Sequence, residues 1–178
     1  MRLQLPTLAL LFTLSTPALA GMAVPPLQTA AHVDLARYMG SWYEIAAIPQ
    51  PFEQGCVGSQ ATYTLQSDKT VRVVNSCHRG SSVAPLDRVA GTASVTDEAT
   101  NAKLAVTFDL AAGATQGAYW ILAVDDGYQH ALVGTPDRQS LWILDRSAHP
   151  SAAVVARLVY QAAEQGFDVS KLMLSPQP

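Results

Sequence analysis

Short segments of alternating apolar and polar residues, separated by turn clusters, run along most of the chain. Residues 60–66 (QATYTLQ) alternate and end at Ser67-Asp68-Lys69, and residues 71–77 follow at once, which predicts a hairpin. The full set of predicted strands is 42–48, 60–66, 71–77, 89–95, 102–110, 118–124, 130–134 and 141–145. Eight strands at near-regular spacing predict an all-β fold, one eight-stranded antiparallel up-and-down barrel.

One segment after the eighth strand follows a helical pattern instead. Residues 150–165 carry apolar side chains at helical spacing, with Ser151 near the start and Gly166 past the end. We expect a C-terminal amphipathic helix packed on the outer wall of the barrel. Residues 167–175 then return as extended chain that could pair with the barrel edge.

The first twenty residues differ from the rest. They predict a secretory signal peptide, residues 1–20. The evidence is a positive residue at Arg2, an apolar run over residues 8–14, a break at Pro17 and the small residues of Ala18-Leu19-Ala20. The apolar run is shorter than the roughly 20 residues of a membrane span. Residues 21–32 are interpreted as an N-terminal strap and residues 33–178 as the domain. No cysteine near the cleavage site offers a lipid anchor, so we expect an exported protein, periplasmic or associated with the outer membrane.

The amino-acid composition of the chain limits the classes of function that it can have. The chain has 178 residues, 49% hydrophobic and 14% charged, which is enough for one well-buried core. Eleven Lys and Arg against 14 Asp and Glu give a net charge of -3. With no basic run longer than two residues, the sequence argues against nucleic-acid binding.

The two cysteines, Cys56 and Cys77, meet an oxidising compartment if the chain is exported, so a disulfide is expected. Simple hairpin pairing sets Cys77 opposite Gln60, so the bridge requires a bulge or a loop that folds back. Two separate thiols are the alternative.

The barrel interior is predicted from the alternation in phase with Trp42. An eight-stranded barrel is just wide enough for side chains or one small ligand, and an apolar lining with small residues favours the ligand. A slip of one residue would reverse the faces. The predicted lining is Ala61, Tyr63, Leu65, Val71, Val73, Asn75, Leu104, Val106, Phe108, Tyr119, Ile121, Ala123, Trp142 and Leu144.

Three motifs carry a family resemblance. The segments are MGSWYEI at residues 39–45, AVDD at residues 123–126 with Tyr128 beyond it, and LWILDR at residues 141–146. In this order and spacing they resemble the lipocalin family, and residues 164–171 (EQGFDVSK) resemble the end of its bacterial outer-membrane branch. The resemblance covers about residues 33–171.

The resemblance implies a calyx, closed at one end, that holds a fatty acid, a lysophospholipid or a similar lipid. It also implies a structural signature of Gly40, Trp42, Asp125 and Arg146, with Arg146 stacked on Trp42 across the closed end. The bacterial branch is usually tethered through a lipidated cysteine, from which this sequence departs. Expected partners are a small apolar ligand, peripheral contact with the outer membrane, and a monomer or weak homodimer.

The mouth of the calyx is assigned to two loops, residues 49–58 and 78–87. Phe52 is a candidate apolar lip, and His78 or Arg79 a candidate partner for a carboxylate or phosphate; otherwise both loops are solvated connectors. Glu44 shares the face of Trp42 and is expected to pair with a polar neighbour, because an unpaired buried charge is costly.

Chemistry beyond binding has weaker signals. The sequence holds no G-x-S-x-G elbow, its four histidines lack metal-ligand spacing, and Asp125-Asp126 is typical of a turn. We expect a binding protein with no cofactor and no metal, and not an enzyme. Two alternatives stay open: an isomerase-like lipocalin enzyme with Cys77 as a cavity thiol, and a packed barrel that serves as a scaffold.

Overall fold

The structure is a computed structural model that describes residues 25–110 and 113–178. Nine strands and two α-helices form in it. The helices are α1 (Leu35–Tyr38) and α2 (Ala152–Glu164). The strands are β1 (Gly40–Ala47), β2 (Cys56–Leu65), β3 (Val71–Arg79), β4 (Leu86–Val95), β5 (Lys103–Leu110), β6 (Gly113–Val124), β7 (His130–Gly134), β8 (Leu141–Asp145) and β9 (Met173–Leu174).

The strands form one closed antiparallel barrel. Strands β1 to β8 pair with their neighbours in chain order, and β1 pairs with both β8 and β2, which closes the wall. The predicted up-and-down barrel is therefore confirmed. Several strands begin earlier in the chain than predicted: β2 begins at Cys56 rather than at residue 60, and β6 begins at Gly113 rather than at residue 118. These ends are rich in Gly, Ser and Gln, so they lack an apolar alternation although the ladder continues through them.

The seam between β1 and β2 is completed by the C-terminal segment. Residues 40–43 of β1 pair with β2, and beyond a bulge at Glu44 the strand pairs with β9 instead. The Ser175 amide donates to the Ile45 carbonyl at 2.9 Å, and the Gly58 amide donates to the Pro176 carbonyl at 2.8 Å. The segment predicted to return as extended chain thus forms a ninth strand.

Helix α2 packs on the outside of the barrel, as predicted. Ser151 caps its first turn, and its buried side chains Leu158 and Ala162 join an outer cluster with Leu132 and Ile143. Burying a leucine side chain contributes roughly 2 kcal/mol, so α2 is held chiefly by this face.

The described part of the strap, residues 25–32, lies along the barrel wall. The Arg138 guanidinium donates to the Pro25 carbonyl at 2.5 Å, and the Ala30 amide donates to the Ile121 carbonyl at 2.9 Å. The predicted signal peptide falls outside the described residues. Within residues 25–110 and 113–178, no helix is both long and apolar enough to cross a bilayer.

Candidate ligand site inside the barrel

The closed end of the barrel is sealed by Trp42 and Arg146. Trp42 is fully buried, and its indole N–H donates to the Tyr38 carbonyl at 2.8 Å. The Arg146 guanidinium carbon lies 3.8 Å from the centre of the indole ring, and the guanidinium donates to the carbonyls of Ser41 and Met39 at 2.8 Å each. These contacts tie α1, β1 and the end of β8 into one plug.

The other two signature residues also serve the closed end. A Cβ on Gly40, whose φ is +94°, would stand 3.2 Å from a terminal nitrogen of Arg146. Burial raises the pKa of the Asp125 carboxyl, but the amides of His130, Gln129 and Gly127 donate to it and bring the pKa below its usual range. Asp125 thus organises the β6–β7 turn, in agreement with its interpretation as a turn residue.

Three tyrosines form a hydrogen-bonded group in the lower interior. The Tyr119 hydroxyl lies 2.9 Å from the hydroxyls of both Tyr38 and Tyr63. Burial raises the pKa of all three phenols, that of Tyr63 to about 12, so they are neutral at physiological pH. The space between this group and its apolar neighbours is about that of one water molecule. The group therefore forms a floor above the plug.

Most of the predicted lining lies in the interior cluster. Its buried or partly buried members are Ala61, Tyr63, Val71, Val73, Leu104, Val106, Phe108, Tyr119, Ile121, Trp142 and Leu144. Asn75 shares their face on β3, and its side-chain oxygen is buried with no hydrogen-bond partner among the described residues. The phase taken from Trp42 is therefore right for these positions.

Two predicted lining residues lie elsewhere. Leu65 is 42% exposed, because it ends β2 at the turn to β3, past the plug. Ala123 packs with the outer cluster because a bulge between Ile121 and Ala123 shifts the register against β7, and Val124 joins the interior cluster instead. The prediction assumed an unbroken alternation along β6.

Cys56 and Cys77 form a disulfide with 5.4 Å between their Cα atoms. The register between β2 and β3 shifts between Val57 and Gln60, where Gly58 has a φ of +69°, so Cys56 pairs with Arg79 and reaches Cys77 diagonally. This is the bulge that the bridge was expected to require. Since the chain has only these two cysteines, the cavity-thiol hypothesis loses its nucleophile and is wrong.

The polar groups assigned to the mouth are used by the mouth loops themselves. Arg79 pairs with Asp87 at 2.8 Å and donates to the carbonyls of Gln54 at 3.0 Å and Phe52 at 3.2 Å. His78 Nδ1 lies 2.5 Å from the Ala84 carbonyl oxygen. The structure thus gives Arg79 a role in holding the β1–β2 loop. Phe52 is 57% exposed at this end.

Two glutamate side chains are half-buried near the open end, Glu44 and Glu53. Glu44 accepts a hydrogen bond from Ser175 Oγ, so Ser175 is the polar neighbour that Glu44 was expected to have. Burial raises the pKa of the Glu44 carboxyl. Glu53 was missed: its Oε1 accepts from the Trp142 indole N–H at 3.0 Å. Burial, with the nearby Glu44 as a second cause, raises the Glu53 pKa to about 8. Residues 49–55 read as a polar, proline-rich connector, so nothing in the sequence signalled that Glu53 turns inward.

A barrel with a sealed end, an apolar inner wall and a loop across the other end defines the class, a calyx-type barrel. Comparison with known proteins agrees. Residues 33–177 match the family described as Lipocalin-like domain. The chain is 38% identical over 157 residues to "Temperature-induced lipocalin-1" of Arabidopsis thaliana, covering 85% of this chain and 83% of that protein. It is 39% identical over 145 residues to "Outer membrane lipoprotein Blc" of Escherichia coli K12, covering 82% and 80%.

The chain belongs to the lipocalin family, whose members generally bind small hydrophobic molecules. Among solved structures, insecticyanin from the tobacco hornworm Manduca sexta superposes with a TM-score of 0.68 at 24% identity, over 85% of this chain and 84% of that one. That likeness concerns the fold alone. The predicted family is thus confirmed.

Proposed function

We propose that the barrel interior binds a fatty acid, a lysophospholipid or a similar single-chain lipid, and stores or transports it in the cell envelope. The observation that carries this proposal is the inner wall, where apolar side chains from eight strands face one another. A lipid tail in that space would be surrounded by Val73, Val106 and Phe108 rather than by water.

The energy of tail burial is sufficient. Each buried CH₂ group contributes about 0.8 kcal/mol, so ten methylenes contribute roughly 8 kcal/mol before translational freedom is lost. A net gain of about 8 kcal/mol corresponds to micromolar affinity, so micromolar binding requires a tail of more than about ten buried methylenes to offset that loss. Binding also requires room, because the tyrosine floor leaves little free space. The ligand therefore enters above the floor, with movement of Trp142 and of the loop that contacts it.

The place of action in the proposal rests on the sequence and on relatives. The predicted signal peptide directs the chain out of the cytoplasm, and the E. coli relative is named an outer membrane lipoprotein. In the envelope such a barrel could carry a lipid between membrane surfaces, touching the outer membrane peripherally as a monomer or weak homodimer.

The water-sized space beside the three tyrosines favours a second candidate, a packed barrel that acts as a scaffold through its outer surface. In that case the interior serves only the core. The two candidates differ in whether lipid enters the barrel.

Native mass spectrometry of the protein purified from the periplasm, followed by lipid extraction and titration with a fluorescent fatty acid, separates them. Co-purified lipid or saturable one-to-one binding supports the proposal. Ala61→Phe, which fills the interior, should weaken binding at least tenfold, whereas Ala90→Phe on the exposed face of β4 should not. Thermal denaturation confirms that both variants fold. An empty protein that binds no probe favours the scaffold.

A further inference from the structure

Several hydrogen bonds fasten the β1–β2 loop, residues 49–55, across the open end, among them one from the Gln50 side-chain amide to the Gln139 carbonyl at 3.4 Å. The Glu53 carboxyl reaches Trp142, whose ring packs against the interior cluster. Arg79 donates to two carbonyls of the loop, and the Gly80 amide donates to the Gly55 carbonyl at 2.7 Å. The Arg79 and Gly80 bonds join the loop to the rim, so Glu53 supplies the bond that reaches inward.

The bond between Glu53 and Trp142 depends on the charge of Glu53. A carboxyl that leaves water is stable when it is neutral, and a carboxylate is stable there only with adequate partners. Trp142 supplies one donor. Glu44 from β1 lies near Glu53, and Arg79 from β3 donates to two carbonyls of the loop while it is paired with Asp87 from β4. Glu44 repels a charged Glu53, so the surroundings favour the proton.

We propose that residues 49–55 are a lid over the barrel, closed by the neutral Glu53 carboxyl against Trp142 and released when Glu53 loses its proton. The interior is then least accessible in acidic surroundings and most accessible in alkaline ones. The consequence for ligand exchange rests on the proposed function, whereas the lid movement itself does not.

The direction and the range of the response follow from proton linkage. The Glu53 pKa is about 8 when the lid is closed, and 4.5 is the ordinary value that an open, hydrated carboxyl would regain. Closing of the lid is therefore accompanied by uptake of a proton by Glu53 at pH values between 4.5 and about 8. Within that range each pH unit shifts the ratio of open to closed lid by up to tenfold toward open. Below the range the closed lid is favoured most, and above it the ratio is constant.

The first test follows Trp142 in the ligand-free protein. The fluorescence difference between wild type and Trp142→Phe isolates this indole, and acrylamide quenching reports its exposure. From pH 5 to pH 9 we expect a red shift and faster quenching in the wild type. Glu53→Gln keeps an acceptor for Trp142 but has no proton to lose, so its signal should stay constant. Glu98→Gln, in the exposed β4–β5 turn, is the matched control and should behave as wild type.

A pH response of equal size in Glu53→Gln, or none in the wild type, would overturn the proposal. Glu44→Gln removes the facing charge and should move the midpoint to lower pH. An unchanged midpoint would overturn the role of Glu44 as the opposing group.

The second test measures entry of N-phenyl-1-naphthylamine, a probe that stays neutral over this range, by stopped-flow fluorescence. Its association rate should rise with pH in the wild type, by up to tenfold per unit, and stay flat in Glu53→Gln. A Trp142 response without any probe binding would contradict the proposed function and leave the lid intact. Binding at a rate that ignores pH, beside a clear Trp142 response, would show that the lid does not control entry.

Discussion

Arg146 and Trp42 stack with 3.8 Å between the guanidinium carbon and the centre of the indole ring, and the same guanidinium donates to carbonyls of residues 37–39 and 41. One side chain thus provides hydrogen bonds to the backbone carbonyls at the end of α1 and covers Trp42, the largest buried side chain of the barrel. A lysine could place a charge there but could not stack and donate in several directions at once.

Arg146→Lys should therefore lower the free energy of unfolding by about 2 kcal/mol, since a stacking contact and several charge-assisted hydrogen bonds are lost. Urea denaturation followed by tryptophan fluorescence measures the change. Arg157→Lys, on the exposed side of α2, is the matched control and should change stability by less than about 0.5 kcal/mol. Equal effects in the two variants would contradict the plug.

Gly40→Ala should destabilise the fold by about 1 to 2 kcal/mol. Its backbone lies in the left-handed region, and the new methyl group would meet Arg146. Gly117→Ala is the comparison, because Gly117 has ordinary backbone geometry and an added Cβ there meets no atom of the described residues within 4 Å. Thermal unfolding of both variants decides, and a neutral Gly40→Ala would show that the plug tolerates displacement of Arg146.

Loss of the Cys56–Cys77 bridge should cost about 3 kcal/mol, since it closes a loop with a sequence separation of 21 residues. The double variant Cys56→Ala, Cys77→Ala, compared with wild type by denaturation in the absence of reductant, measures this. Reductant should lower the stability of the wild type alone. If it lowers both equally, the bridge contributes nothing.

Three of the six tyrosines should resist ionisation at high pH. Because the folded pKa of Tyr38, Tyr63 and Tyr119 is raised above the ordinary value of 10, their contribution to stability is complete below pH 10 and is lost as pH rises toward 12 and beyond. Absorbance at 295 nm should show a delayed step that coincides with unfolding. Tyr119→Phe, which removes the shared hydroxyl, should shrink the delayed step.

The strand order and most inward positions were predictable because each strand of a barrel wall with one apolar face alternates apolar and polar residues along the sequence. The errors arose where the backbone departs from regular pairing. The bulge in β6 moved Ala123 to the outside, and only a pairing register reveals such a shift. The bulge in β2, in contrast, could be expected from the sequence, because a bridge between Cys56 and Cys77 requires a bulge or a loop that folds back.

The open end was less predictable than the closed end. The residues of the plug carry a recognisable motif around Trp42, whereas Glu53 lies in a polar loop and acquires its role only from Trp142, 89 residues away in the chain. Arg79 was a candidate partner for a carboxylate or phosphate of the ligand, whereas its partners in the structure are Asp87 and loop carbonyls whose positions depend on the folded loop. Pairings of this kind follow from tertiary structure and leave no local pattern.

The strand added at the seam sets an order of events during folding. Ser175 bonds to Glu44 across a separation of 131 residues, so the mouth half of β1 lacks its neighbour until nearly the whole domain has left the ribosome or the export channel. Until then the edge of β1 beyond Glu44 is open to pairing with other chains. Completion of the barrel is therefore a late, long-range step, and a chaperone that protected this edge would act on the chain before its last residues emerge.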